Sequence, residues 1–129
     1  MPAKTYDVGR GSKSRLSVIG IDLLQHITGS GGYLPSLKST KDLASLEYKA
    51  KLTDPQFIDP TSNKPFVTNP YYSNAKLAAI PIPNLTALVY DSGKAPDGLR
   101  ADLLATLRVR RVSPDEWEVI KRQSHIDTR

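Results

Sequence analysis

His26 and His125 are the only histidines in this 129-residue sequence, and no cysteine accompanies them. The absence of cysteine removes disulfides, thiolate nucleophiles and thiolate metal ligands. A metal site would then have to be completed by carboxylates, and no recognisable spacing supplies them, so no metal or other cofactor is expected. His26 follows Leu23 and Leu24 and reads as an ordinary histidine near a helix end. Covalent catalysis needs a base held beside Ser, Thr or Lys. The sequence has no Gly-x-Ser-x-Gly and no Ser-x-x-Lys on a credible element, and a Ser–His–Asp set can be drawn through almost any chain of this size. Asp54 and Asp59 form a nominal carboxylate pair, yet each precedes a proline, where aspartate is a routine turn former. Thr28-Gly29-Ser30-Gly31-Gly32 has the glycine content of a phosphate-cradling loop but lacks the Gly-Lys-Ser/Thr that engages phosphate and magnesium. It reads as a connector. These exclusions point away from an enzyme and from a small-molecule substrate.

Charge is the second source of chemistry. The net charge is +5, and the excess sits at the two ends. Residues 1–15 carry four basic side chains against Asp7, residues 16–98 balance seven against seven, and residues 99–129 carry seven against five. Lys4, Arg10, Lys13 and Arg15 at one end, and Arg108, Arg110 and Arg111 at the other, are the candidate contacts to nucleic acid or to an acidic partner. If 107–112 is a strand, Arg108 and Arg110 share one face and Arg111 takes the other, which splits the patch. Asp115, Glu116 and Glu118 lie close by and would repel phosphate. No helix–turn–helix, zinc-finger or RNA-recognition signature is present. A basic accessory protein binding DNA or RNA is therefore the alternative reading.

The elements that must position these residues come from hydrophobic periodicity. Leu16, Ile19, Leu23 and Ile27 recur at helical spacing behind a candidate cap at Ser14, and Gly29, Gly31 and Gly32 end the run. Gly20 and the β-branched Val18, Ile19 and Ile21 weaken that helix and leave a strand over 17–23 as its rival. Lys41–Leu52 fits either period and is read as helix from its helix-forming composition. Residues 85–90 are expected to be a strand, with Pro81 confining the preceding run to an edge or to irregular extended chain. Leu99, Leu103, Leu104 and Leu107 predict a helix starting near Asp97, with a strand from Leu107 to Val112 as the alternative for its end. Ser113-Pro114-Asp115-Glu116 is a capping box with proline at the first helical position, and predicts a helix carrying Trp117 and Ile120. Trp117 is expected in the core.

Two segments read as arms. Residues 1–15, with Gly9 and Gly11 and only Tyr6 and Val8 as sizeable apolar groups, form a flexible basic N-terminal arm, leaving 16–129 as one small domain. Between Thr53 and Ala75 prolines stand at 55, 60, 65 and 70, so neither a regular helix nor a central strand can run through. Phe57, Ile58, Phe66, Val67, Tyr71 and Tyr72 in that stretch are too apolar for an idle linker. The expectation is an extended arm, 53–75, lying over the core or over a neighbouring subunit.

The fold class expected is therefore α+β, with about three helices, a small sheet and long proline-rich arms. The function expected is a non-enzymatic structural or assembly subunit of a larger complex, in the style of the head, neck, tail and baseplate subunits of phage-like virions. Its partners are other protein subunits, in a homo- or hetero-oligomer, with nucleic acid as the alternative and no membrane. Tyr6, Phe57, Phe66, Tyr71 and Tyr72 are the expected partner contacts. No run reaches the ~20 apolar residues of a membrane span. Met1-Pro2-Ala3-Lys4-Thr5-Tyr6 lacks the apolar core of a signal peptide, so the cytoplasm or a virion is the expected location.

Overall fold

The computed structural model describes residues 3–47 and 49–126, and side chains from residue 11 onward. The described chain is an α+β arrangement of three α-helices, two small antiparallel sheets and several single-turn 3₁₀ segments.

The helix α1, Ala3–Ser30, buries the stripe expected of it: Leu16, Ile19, Leu23 and Ile27 are all in the core. It does not begin at Ser14. Its backbone runs unbroken through residues 3–15, the stretch read from the sequence as an arm. The reason lies in small polar residues that a count of apolar spacing does not register. Ser12, one turn before Leu16, continues the stripe fully buried and donates toward Asp59 Oδ1 at 3.4 Å. A Cβ on Gly11 would already touch Pro60, so this turn is held against the 58–60 segment by the lack of side-chain bulk. At the other end Gly31 takes a positive φ of +77°, and the Gly32 N–H donates back to the Ile27 carbonyl at 2.9 Å, which closes the helix.

The larger sheet has the order β3-β4-β5-β6, formed by Val67–Thr68, Ala87–Tyr90, Arg100–Leu104 and Val109–Val112. The helix expected from Asp97 through Leu107 is instead β5 and the turn into β6. Leu103 packs with α1 while its neighbour Leu104 packs with Trp117 and Ile120 on the opposite face. Only a strand sends adjacent side chains to opposite sides. The helical spacing of the four leucines was a coincidence of a sheet buried on both faces. Asp97 accepts the Leu99 N–H at 3.1 Å as a turn former, not as a helix cap. In β4 a bulge between Ala87 and Val89 turns Ala87 toward Trp117 and Ile120, while Leu88 and Val89 both face the α1 core.

The segment 53–75 folds against its own chain. Pro55 and Pro70 each open a 3₁₀ turn, Pro55–Phe57 and Pro70–Tyr72, at the position where no N–H is needed. Between them Ile58–Asp59 (β1) pairs with Lys64–Pro65 (β2) as a minimal hairpin, so the four prolines punctuate turns and edges. Phe57 and Phe66 are completely buried in the α1 core, and the Thr40 hydroxyl donates to the Phe66 carbonyl. The extended arm of the sequence reading is thus a folded lobe of the domain.

The remaining helices are short. Thr40–Ala44 (α2) is all that is helical of the expected 41–52 run: Leu46 and Glu47 fall back on tight three-residue turns, and Lys49 adopts a φ of +59°. Leu43 and Ala44 bury side by side in the one turn. Pro114–Gln123 (α3) is as expected: Glu116 N–H donates to Ser113 Oγ at 3.2 Å, Ser113 N–H donates to Glu116 Oε1 at 2.9 Å, and Trp117 and Ile120 are buried.

Candidate functional site

The outer flank of α1 carries what the core does not need. Val18, Ile21 and Leu24 are 43, 57 and 51% exposed, three apolar side chains on one stretch of helix. Beside them lies an open groove of about 430 Å³ lined by Ser17, Gly20, Ile21, Leu24, Leu107, Arg108 and Val109. Its floor exists because residue 20 is glycine. A Cβ there would meet Leu103 Cδ1 at 3.2 Å and the Leu107 carbonyl at 3.5 Å, so glycine lets the β5–β6 turn approach the helix closely. β6 is the outer strand of its sheet, which leaves one row of its backbone groups without a strand partner. Exposed Lys13, one turn before Ser17, and exposed Arg108 make the rim of this groove cationic.

The residues singled out from the sequence do not gather at this groove. Phe57, Phe66 and Tyr72 are 0, 1 and 7% exposed, so their apolar surface is already covered within the chain; as partner contacts they are superseded. Tyr71 alone of that group is open, at 60%, and it stacks on His125 with ring centroids 4.0 Å apart. Tyr6, Lys4 and Arg10 lie in α1, but their side chains fall outside the described residues. Arg15 donates to the Ile58 carbonyl at 2.8 Å, a tie inside the fold. Arg110 pairs with Glu116 at 3.1 Å and Arg111 with Asp97 at 2.7 Å, on opposite faces of β6, so the arginine cluster is divided as the strand alternative implied. Lys13 and Arg108 are exposed.

Acidic chemistry is present but inward. Asp59 accepts from Thr61 N–H at 2.8 Å, Ser92 N–H at 3.0 Å and Ser62 Oγ at 3.2 Å, which locks the β1–β2 hairpin to the end of β4. Burial pushes Asp91 up to about 6, although its Oδ2 accepts the Ala101 N–H at 2.9 Å. Asp102 is fully buried with neither oxygen hydrogen-bonded, and burial raises it to about 8, above the opposing pull of Arg100. Asp22 on α1 is lifted to about 7 by burial and by Glu47 beside it. Asp59, Asp91 and Asp102 are enclosed by their own fold, and Asp22 is half-buried. None is set beside a nucleophile at a cleft, and among the described residues no group of three or more His, Asp or Glu side chains converges to hold a metal.

Sequence reasoning missed this exposed apolar flank because Val18, Ile21 and Leu24 were counted with the helix as a whole. The signal was available: with Leu16, Ile19, Leu23 and Ile27 assigned to the core, those three fall outside the buried arc of a 3.6-residue wheel. Gly20 carried no such signal, since its role depends on the β5–β6 turn. Among the described residues no helix is long and apolar enough to cross a membrane. Comparison with protein-family models, with curated proteins and with solved structures finds no match to this chain.

Proposed function

We propose that this protein is a non-enzymatic structural or assembly subunit that docks a neighbouring protein through the outer flank of α1 and the open edge of β6. The observation that carries the reading is the run of exposed Val18, Ile21 and Leu24 beside the Gly20–Leu107–Val109 groove. A helix whose core stripe is already satisfied gains nothing internally from three further apolar residues, whereas a covering subunit would bury them at roughly 25 cal/mol per Å². The cationic rim of Lys13 and Arg108 selects a partner element that is apolar with acidic flanks. A phage-like virion is the larger complex proposed from the style of the sequence, with its support now resting on this face in place of a free arm.

Nucleic-acid binding is the alternative, and it has less support because Arg110 and Arg111 are engaged by Glu116 and Asp97. Size-exclusion chromatography with light scattering at low and high salt, read at 260 and 280 nm, separates the two. A mass above the 14.2 kDa of one chain that persists at high salt, and that falls to one chain in the Ile21→Ser/Leu24→Ser double variant with an unchanged melting temperature, supports docking by this face. An assembly unaffected by the double variant overturns that assignment. A monomer that carries nucleic acid at low salt and sheds it at high salt favours the alternative.

A further inference from the structure

On the opposite face of the sheet from α1, a cleft of about 200 Å³ opens between α3, the strands β5 and β6, and the 93–98 loop, with Lys94, Arg100, Ser113, Trp117, Glu118 and Lys121 among its lining. The Arg100 guanidinium lies over the Trp117 ring, 4.8 Å from its centroid, and donates through Nη1 to the main-chain carbonyl of Asp91 at 2.6 Å. Among the described residues neither Arg100 nor Lys94 forms a salt bridge. Of the two carboxyls nearest Arg100, Asp91 at about 6 is ionised at neutral pH and offsets part of its charge. Asp91 meets it through a backbone oxygen and commits Oδ2 to the Ala101 N–H, and Asp102, raised to about 8, is protonated at neutral pH. Lys121 is tied to Glu118 at 2.9 Å, but that carboxylate is 59% exposed, the kind of pair that exchanges readily. Ser113 Oγ is committed within the helix cap, where it accepts the Glu116 N–H and its hydroxyl faces the Glu116 carboxylate.

Three cations and one carboxylate line the cleft, and with Asp91 counted against Arg100 the balance is about one positive charge, around a space wide enough for a phosphomonoester. We propose that this cleft binds a phosphate-class dianion, a free phosphate or a phosphomonoester, with Arg100 as the planar fork and Lys94 and Lys121 as point charges. The planar fork of Arg100 matches paired oxygens of a phosphate, and the two lysines add charge for its second negative oxygen. An arginine held flat on an aromatic ring is already oriented, so little side-chain freedom is lost on binding. The site is independent of the α1 docking flank.

Trp117 is the only tryptophan in the chain, so its fluorescence reports on this cleft alone. Titration of the full chain with inorganic phosphate at constant ionic strength should give a saturable change, half-complete in the low millimolar range typical of a small exposed site, on the order of 1 mM. Acetate at the same ionic strength should give none. Lys94→Gln, an exposed change that leaves the fold alone, should weaken binding by about three- to tenfold, and Arg100→Gln should abolish saturation, with melting temperature as the check on folding for both. A response that does not saturate, an equal response to acetate, or a Lys94→Gln titration that overlays the wild type would overturn the proposal. A short single-stranded oligonucleotide that outcompetes phosphate would replace the monoester assignment with a nucleic-acid backbone.

Discussion

The side-chain amide of Asn69 donates to the main-chain carbonyl of Ser124 at 2.8 Å, joining the turn after β3 to the end of α3 across 55 positions of sequence. The same amide donates to the Ala87 carbonyl at 2.9 Å, and Ser124 Oγ accepts the Ala87 N–H at 2.8 Å. Both residues are buried, so this small polar knot closes the α3 side of the sheet where no water reaches. Asn69→Ala leaves two buried carbonyls without that donor. The expected loss is about 2–3 kcal/mol, read as a fall of roughly 5–10 °C in melting temperature.

The lobe at 53–75 is stabilised from within the chain. Phe66→Ala should therefore destabilise the isolated protein by about 3–5 kcal/mol in urea unfolding, the range for emptying an aromatic core site. Tyr71→Ala, at a 60% exposed position, should change stability by less than about 1 kcal/mol. The reverse ranking would restore the extended-arm reading.

Asp102 sets the sign of a pH effect. Its folded pKa, raised to about 8, lies above that of an unfolded aspartate near 3.8, so the folded protein holds a proton that the unfolded chain has released. Stability from this group is complete at low pH and is lost as pH rises toward about 8. Asp22 and Asp91, raised to about 7 and about 6, act in the same direction over narrower windows. Differential scanning from pH 5 to 8.5 should show a declining melting temperature. Asp102→Asn should be more stable than wild type at pH 8.5, with its decline ending near pH 7. A wild-type profile that rises over this range would contradict the buried neutral carboxyl.

Gly20 spaces α1 from the β5–β6 turn. Gly20→Leu should force Leu103 and the Leu107 backbone aside and lower stability by about 1–3 kcal/mol, despite leucine's better helix propensity. Gly20→Ala is expected within about 1 kcal/mol of wild type, because helix propensity offsets a contact that the flexible end of Leu103 can relieve. Chemical denaturation of both variants checks the pair.

Local chemistry alone determined part of this protein. The Ser113–Glu116 capping box specifies α3 whatever surrounds it, since every interaction that starts the helix lies within four residues. Leu16, Ile19, Leu23 and Ile27 determine which side of α1 is buried, and the prolines at 55, 60, 65 and 70 determine that no long regular element crosses that segment. The lack of cysteine was equally plain. Tertiary structure decided the rest, because the competing local solutions were close in energy. Leu103 and Leu104 suit a helix or a strand until α1 covers one face of the sheet and α3 the other, and then only the two-residue period buries both. Phe57 and Phe66 require an apolar surface, but whether their own chain or a neighbour supplies it depends on the hollow left between α1 and the sheet. Ser12 and Gly20 join the packing through the groups they meet, Asp59 and Leu103, which lie 47 and 83 positions away in sequence. The pairing of Arg110 with Glu116 and of Arg111 with Asp97, and the seating of Arg100 over Trp117, likewise exist only once β5, β6 and α3 are brought together.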